Sequence, residues 1–331
     1  MVKYDELLNV NKICEIVTDK LSAYNTIVAL VLIGSCARGE ETYYTNPQGR
    51  LCLYSDIEFF VVLRNMDEMS KIQADITCIN NELQLVSDSP IFEVSVGYLF
   101  MSSIKRVDRR FIIFETKERG KVIMGDPNIL NHLPNVTVNS LNKSNLASII
   151  NQRLYHVLTE WIKLDEHEKK YCIARNSLDI GTVYLTFSGS IISSYKARNN
   201  YLNKASDLTS KVFSIGFLRR INDYLTMKMD FCSQLYSNYD ANVMLKDFCT
   251  DIEQLLEYLK SVNGDCFYKD YHRLFKAIAH FKFNEVRFEL SRPKQEHYLC
   301  DIMIESLKNG AWNSGTVSKA NELMNELYKK R

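Results

Sequence analysis

The chain has 331 residues, 46% of them hydrophobic, enough for one large or two medium domains with cores of their own. Its 41 Lys and Arg nearly balance 40 Asp and Glu, leaving a net charge of +1. That argues against a long nucleic-acid partner, whose footprint is a clustered basic face. The nine cysteines form no CxxC pairs and the six histidines are dispersed, as expected of reduced thiols in a cytoplasmic protein without a zinc site.

The opening stretch KYDELLNVNK has neither the apolar region nor the small-residue cleavage site of a secretory leader. The longest apolar run, IVALVLI at 27–33, is far short of a membrane span, so no membrane partner is expected. An opening helix is expected over about 4–24, where Leu7, Leu8, Ile13, Ile16, Val17 and Leu21 recur at helical spacing. Strands are expected at 26–33, 51–63, 91–100 and 121–124, with helices at 66–86 and about 108–118 between the later ones. Pro127 and Pro134 punctuate the next stretch. From about 140 onward, long amphipathic segments such as SLNKSNLASIINQRLYHVLTEWIKL replace the strand-like runs. The expected architecture is therefore α/β (α+β) over residues 1–135, a mixed sheet flanked by helices, followed by an all-α helical domain over 136–331.

Within the first domain, VLIGSCARGEE at 31–41 imitates a phosphate-binding P-loop and then departs from it. Gly34 and Gly39 have the P-loop spacing, but Glu40 and Glu41 stand where lysine and serine or threonine belong. A carboxylate there would repel a triphosphate. Cys36, just after the turn, reads either as a thiol acidified by a helix start or as a small packing residue.

Downstream, LYSDIEFFVVL sets Asp56 and Glu58 two apart in a strand, so both side chains leave the same face. Their Cβ atoms are expected roughly 6.5 Å apart, a span from which both can lean onto a pair of divalent ions. Ile57, Phe59, Val61 and Leu63 take the other face. Two acids in an apolar strand are costly unless neutralised, and metal ions would neutralise them. A solvent-exposed strand end is the alternative.

An apolar strand, Gly34-Ser35, a helix-compatible CARGEE and a strand bearing Asp56-Ile57-Glu58 together resemble the signature of the DNA polymerase beta-like nucleotidyltransferase superfamily. The resemblance covers about 26–130 by motif, including FIIFETKERGKVIMGDP as the closing helix and short strand. It extends loosely over 140–200, where RNSLDIGTVYLTFSGSIISSYKAR is similar to the helical partner domain of the small-molecule members. In this family the Gly-Ser pair presents backbone N–H groups and a hydroxyl to the phosphates, and metal ions carry the neutralising charge. A third carboxylate on a later antiparallel strand completes the metal site. Glu93, centred in SPIFEVSVGYLF, is the candidate, with an edge acid facing water as the alternative. One departure is the twenty residues between Ser35 and Asp56, about twice the usual number. TYYTNPQGRLCLY therefore reads as an inserted hairpin or loop, tipped by Pro47-Gln48-Gly49, beside the acceptor.

The resemblance implies transfer of a nucleoside monophosphate from an NTP to a hydroxyl of a small sugar-like or aminoglycoside-like acceptor, with release of pyrophosphate. Asp56 and Glu58 would bridge two Mg²⁺ (Mn²⁺ being the alternative ion), and Glu93 would bind one of them and act as general base. Gly34 and Ser35 would hold phosphate. Arg38 would contact phosphate or pair with Glu41 or Asp56. In the helical domain Arg175, Asn176 and Asp179 share a helix face, and Tyr195, Lys196 and Arg198 follow. Arg175, Asn176, Tyr195 and Arg198 read either as a nucleotide clamp or as a polar network between helices. A regulatory enzyme acting on protein or tRNA, and a non-catalytic nucleotide-binding module, are the competing readings.

Overall fold

Ile27–Ile33 (β1) is an unbroken apolar run because it is an inner strand, covered on both faces. In the computed structural model, which describes residues 9–45, 49, 51–84, 93–214, 216–264, 283–310 and 314–328, β1 lies between Ile57–Leu63 (β4) and Lys121–Gly125 (β6). It is antiparallel to both. Val94–Phe100 (β5) closes the other edge, parallel to β4, giving the order β5-β4-β1-β6. The sheet is therefore mixed, as expected. The strand expected to carry the third carboxylate, however, is parallel to the Asp56-Glu58 strand rather than antiparallel. A helical crossover, Met69–Gln84 (α3), connects β4 to β5, and such a crossover is what returns a chain for parallel pairing.

The expected strand over 51–63 is broken in two. Leu51–Leu53 (β3) pairs with Tyr43–Thr45 (β2) in a separate two-stranded hairpin, and β4 begins only at Ile57. The inserted segment thus folds as a hairpin; positions 46–48, at its expected tip, lie outside the described residues. The opening helix is Val10–Leu21 (α1), capped by Asn9, whose side chain accepts the Lys12 N–H. Its expected first residues, 4–8, lie outside the described residues. Ile13, Val17 and Leu21 pack with Leu30, Leu32, Phe59, Val61, Ile72 and Ile76 into the core beneath the sheet. Gly34–Arg38 (α2) follows β1 directly and is ended by Gly39, whose φ of 67° is left-handed. Phe111–Arg119 (α4) precedes β6.

The chain divides into two units, Met1–Ser140 with Met229–Ser233, and Leu141–Lys228 with Gln234–Arg331. The second comprises Lys143–Glu160 (α5), Glu166–Phe187 (α6), Tyr195–Lys204 (α7), Ser206–Thr209 (α8), Phe217–Met229 (α9, up to Lys228), Ala241–Asn263 (α10), Phe283–Asn309 (α11) and Ser314–Tyr328 (α12). It holds no strand among the described residues. α6 starts at a capping box of Asp165 and Glu168 and is buried along most of its length, packed on α5 and α10. Among the described residues, no helix is long and apolar enough to cross a membrane.

Candidate functional site

The sheet register brings the sequence-nominated acids to one end of the strands. The antiparallel pairing sets Ile33 against Glu58, so the Gly34-Ser35 turn begins where the Asp56-Glu58 strand starts. The parallel pairing sets Ile57 against Val94, and the Ile57 N–H donates to the Glu93 carbonyl at 2.8 Å. Asp56 and Glu93 each stand one residue before the first pair of that register. Glu93 therefore precedes its strand instead of being centred in it, and its side chain is exposed. Asp56, Glu58 and Ser35 are half-buried.

Gly34 has a φ of 67°, and a Cβ there would collide with the Glu58 carboxylate. The Glu58 side chain is thus folded onto the turn, a position that only a glycine leaves open. The Ser35 hydroxyl makes no hydrogen bond to the described residues, while its carbonyl accepts the Glu40 N–H at 3.0 Å. Cys36 is 3% exposed and its thiol donates to the Asp56 carbonyl at 3.5 Å. This is the packing role, and it ties α2 to the first acid.

Arg38 is enclosed by carboxylates. Its Nε meets Glu40 at 2.9 Å and its Nη1 meets Glu115 at 3.1 Å, with Arg38 only 6% and Glu40 1% exposed. The sequence had suggested Glu41 or Asp56 as its ion-pair partner. Glu115 lies on α4, remote in sequence and joined only by packing. Glu40, the residue that spoils the P-loop pattern, is thereby neutralised inside the fold.

In the helical unit, Asp179 is the hub. It accepts from Arg153 Nε at 2.5 Å and from the Tyr195 hydroxyl at 2.9 Å. Arg198, 2% exposed, donates to Thr182 Oγ1 at 2.8 Å and to the Ile192 carbonyl at 2.8 Å, with its guanidinium 4.7 Å from the Tyr195 ring centroid. Burial pushes the Asp179 carboxyl up, but the Arg153 and Arg198 charges outweigh it and hold it below the usual carboxylate range. Asn176, 1% exposed, donates to the Cys172 carbonyl at 2.7 Å and meets the His156 ring at 3.2 Å. Asn176, Tyr195 and Arg198 thus take part in polar contacts among α5, α6 and α7. Arg175 is half-buried on the same helix, close enough to Arg153 for the two charges to repel. Sequence reasoning missed Arg153, because no spacing rule connects residues on different helices.

Asp56, Glu58 and Glu93 offer oxygen donors only, the chemistry a hard divalent cation such as Mg²⁺ prefers. Among the described residues, no three or more His, Cys, Asp or Glu are drawn together as a ready metal cage. Donor type alone suits such an ion. Comparison with protein-family models and with curated proteins finds no match to this chain.

Proposed function

We propose that the first unit is an Mg²⁺-dependent nucleotidyltransferase site. The observation that carries this reading is the register that brings Asp56, Glu58 and Glu93 to one end of the sheet, beside the Gly34-Ser35 turn. Gly34 lacks a Cβ, and the Glu58 carboxylate now fills the space beside it, so the turn meets phosphate once Glu58 swings onto the cation. The uncommitted Ser35 hydroxyl donates to a phosphate oxygen. Mg²⁺ held by Asp56, Glu58 and Glu93 would supply charge neutralisation for the triphosphate and acidify the acceptor hydroxyl. Glu93, exposed at the strand start, takes the acceptor's proton. A new oxygen–phosphorus bond forms to the α-phosphate, and the bond to the departing pyrophosphate breaks. Arg38 serves as a support for the turn, since its guanidinium is engaged by Glu40 and Glu115.

The acceptor is a small hydroxylated molecule of sugar or aminoglycoside type. A net charge of +1 supports this over a long nucleic acid. The test supplies each NTP, labelled at the α-phosphate, and Mg²⁺ to three pools: purified sugars and aminoglycosides, total tRNA, and soluble protein. Label in the first pool supports the reading. Label confined to tRNA or to a discrete protein band replaces the acceptor class. No pyrophosphate release from any NTP refutes the enzyme.

A further inference from the structure

Asn80, on α3, engages both backbone groups of a single residue of β5. Its Nδ2 donates to the Val94 carbonyl at 2.7 Å, and its Oδ1 accepts the Val94 N–H at 2.6 Å. β5 is an edge of the four-stranded sheet, so its outer backbone groups have no neighbouring strand there. At Val94 the amide of Asn80 takes the place that such a strand would fill. A side-chain amide suits this position because it carries an acceptor and a donor together. The helix that presents it is fixed in turn, since Ile72, Ile76, Ile79 and Leu83 are buried in the same core as Val94. A second bond, from the Tyr98 hydroxyl to Gln73 Oε1 at 3.0 Å, joins α3 to β5 further along.

Val94 follows Glu93 directly, and its pairing with Ile57 opens the parallel register. Glu93 is held through its carbonyl by the Ile57 N–H at 2.8 Å, and through its neighbour by Asn80. Successive residues of a strand turn their backbone groups to opposite sides. The bond from Ile57 therefore reaches the chain from β4, and the two bonds from Asn80 reach it from the opposite side. Together they fix the direction of the chain at Glu93 as well as its position.

We infer that Asn80 is a positioning residue for the Glu93 carboxylate, fixing the start of β5 from which that acid projects. This rests on the nucleotidyltransferase reading, in which Glu93 takes the acceptor's proton. A general base works only within hydrogen-bond reach of the proton it removes, and a misplacement of about 1 Å costs about 10²-fold in rate. An exposed glutamate just outside a strand keeps that precision when the backbone beneath it is tied on both sides. Asn80 supplies the tie on the side where the sheet has none.

The test uses the full chain with Asn80→Ala, Asn80→Asp, Glu93→Gln and the double substitution Asn80→Ala with Glu93→Gln, and with Gln73→Ala as a control on the same helix. Aspartate still accepts the Val94 N–H but sets a carboxylate against the Val94 carbonyl. Amide hydrogen exchange over 93–96, Mn²⁺ binding by electron paramagnetic resonance, and kcat and KM for NTP are measured on each. Asn80→Ala is expected to exchange faster at Val94, to bind Mn²⁺ more weakly and to lose about 10–100-fold in kcat, with NTP KM little changed. Asn80→Asp should fall between alanine and wild type, and Gln73→Ala should keep the wild-type kcat. In the Glu93→Gln background, Asn80→Ala should cost less than about twofold more, because the base it positions is already gone. An equal loss in both backgrounds, a wild-type kcat in Asn80→Ala, or an equally slow Gln73→Ala would overturn the positioning role while leaving the enzyme reading intact. Wild-type protein that binds no Mn²⁺ and releases no pyrophosphate would overturn the enzyme reading and the role of Asn80 with it.

Discussion

The carboxylate of Glu58 occupies the space that a β-carbon on Gly34 would need. One residue is thus excluded from having a side chain by the position of the other, although Gly34 opens α2 and Glu58 lies in β4. Gly34→Ala should displace Glu58 and also strain a backbone at φ 67°, for which a non-glycine residue pays about 1–2 kcal/mol. The expected result is a fall in thermal stability of that order together with loss of pyrophosphate release. In a Glu58→Ala background the stability loss from Gly34→Ala should shrink toward the strain alone. Equal losses in both backgrounds would show that the carboxylate does not matter to the glycine.

Asp56→Asn removes a charge while keeping shape. If Asp56 holds metal, turnover should disappear with the melting temperature essentially unchanged. A variant retaining a tenth of the wild-type rate would exclude that role. Glu93→Gln should slow transfer by about 10²–10⁴-fold, as for a lost general base, while NTP still binds. Isothermal titration with NTP and Mg²⁺ separates the two effects.

Arg38 offers a contrast between support and ligand. Its truncation to alanine leaves Glu40 and Glu115 buried without their cation, which should cost about 3–5 kcal/mol of stability. Arg38→Lys should recover part of that, since one ammonium cannot reproduce the forked contact to two carboxylates. Chemical denaturation measures the loss. A stable Arg38→Ala protein whose only defect is weaker NTP binding would return Arg38 to the phosphate.

Asp179 gives the helical unit a pH dependence with a definite sign. Its folded pKa lies below the unfolded value of about 3.9. Between the two values the unfolded chain binds more protons, so stability rises with pH there. The contribution is complete above about pH 5 and is lost as pH falls through the folded pKa. Asp179→Asn should flatten this acid arm. At neutral pH it should cost about 2–3 kcal/mol, less than a fully buried pair because Arg153 keeps 35% of its side chain exposed. Melting temperatures from about pH 2 to pH 7 provide the comparison; an unchanged acid arm would remove Asp179 from the account.

What the sequence determined by itself was local. Seven apolar residues before Gly34 are enough to require a buried strand, and the alternation through Ile57, Phe59, Val61 and Leu63 gives β4 its buried face. The Gly34-Ser35 and Asp56-Glu58 pairs were visible as chemistry because each lies within a few residues of chain. The break at 54–56 was not visible, since Leu51 through Leu63 reads as one apolar run and only the pairing of β3 with β2 takes its first part away. The parallel β4–β5 register, which brings Glu93 to the same end of the sheet as Asp56, came from a crossover whose direction no residue spacing encodes. The same holds for Glu115 on Arg38, Arg153 on Asp179 and Phe231 on Tyr54. Each contact joins segments far apart in the chain. Periodicity and turn chemistry act over a few residues, whereas partners like these are chosen by close packing and by the need to compensate a buried charge.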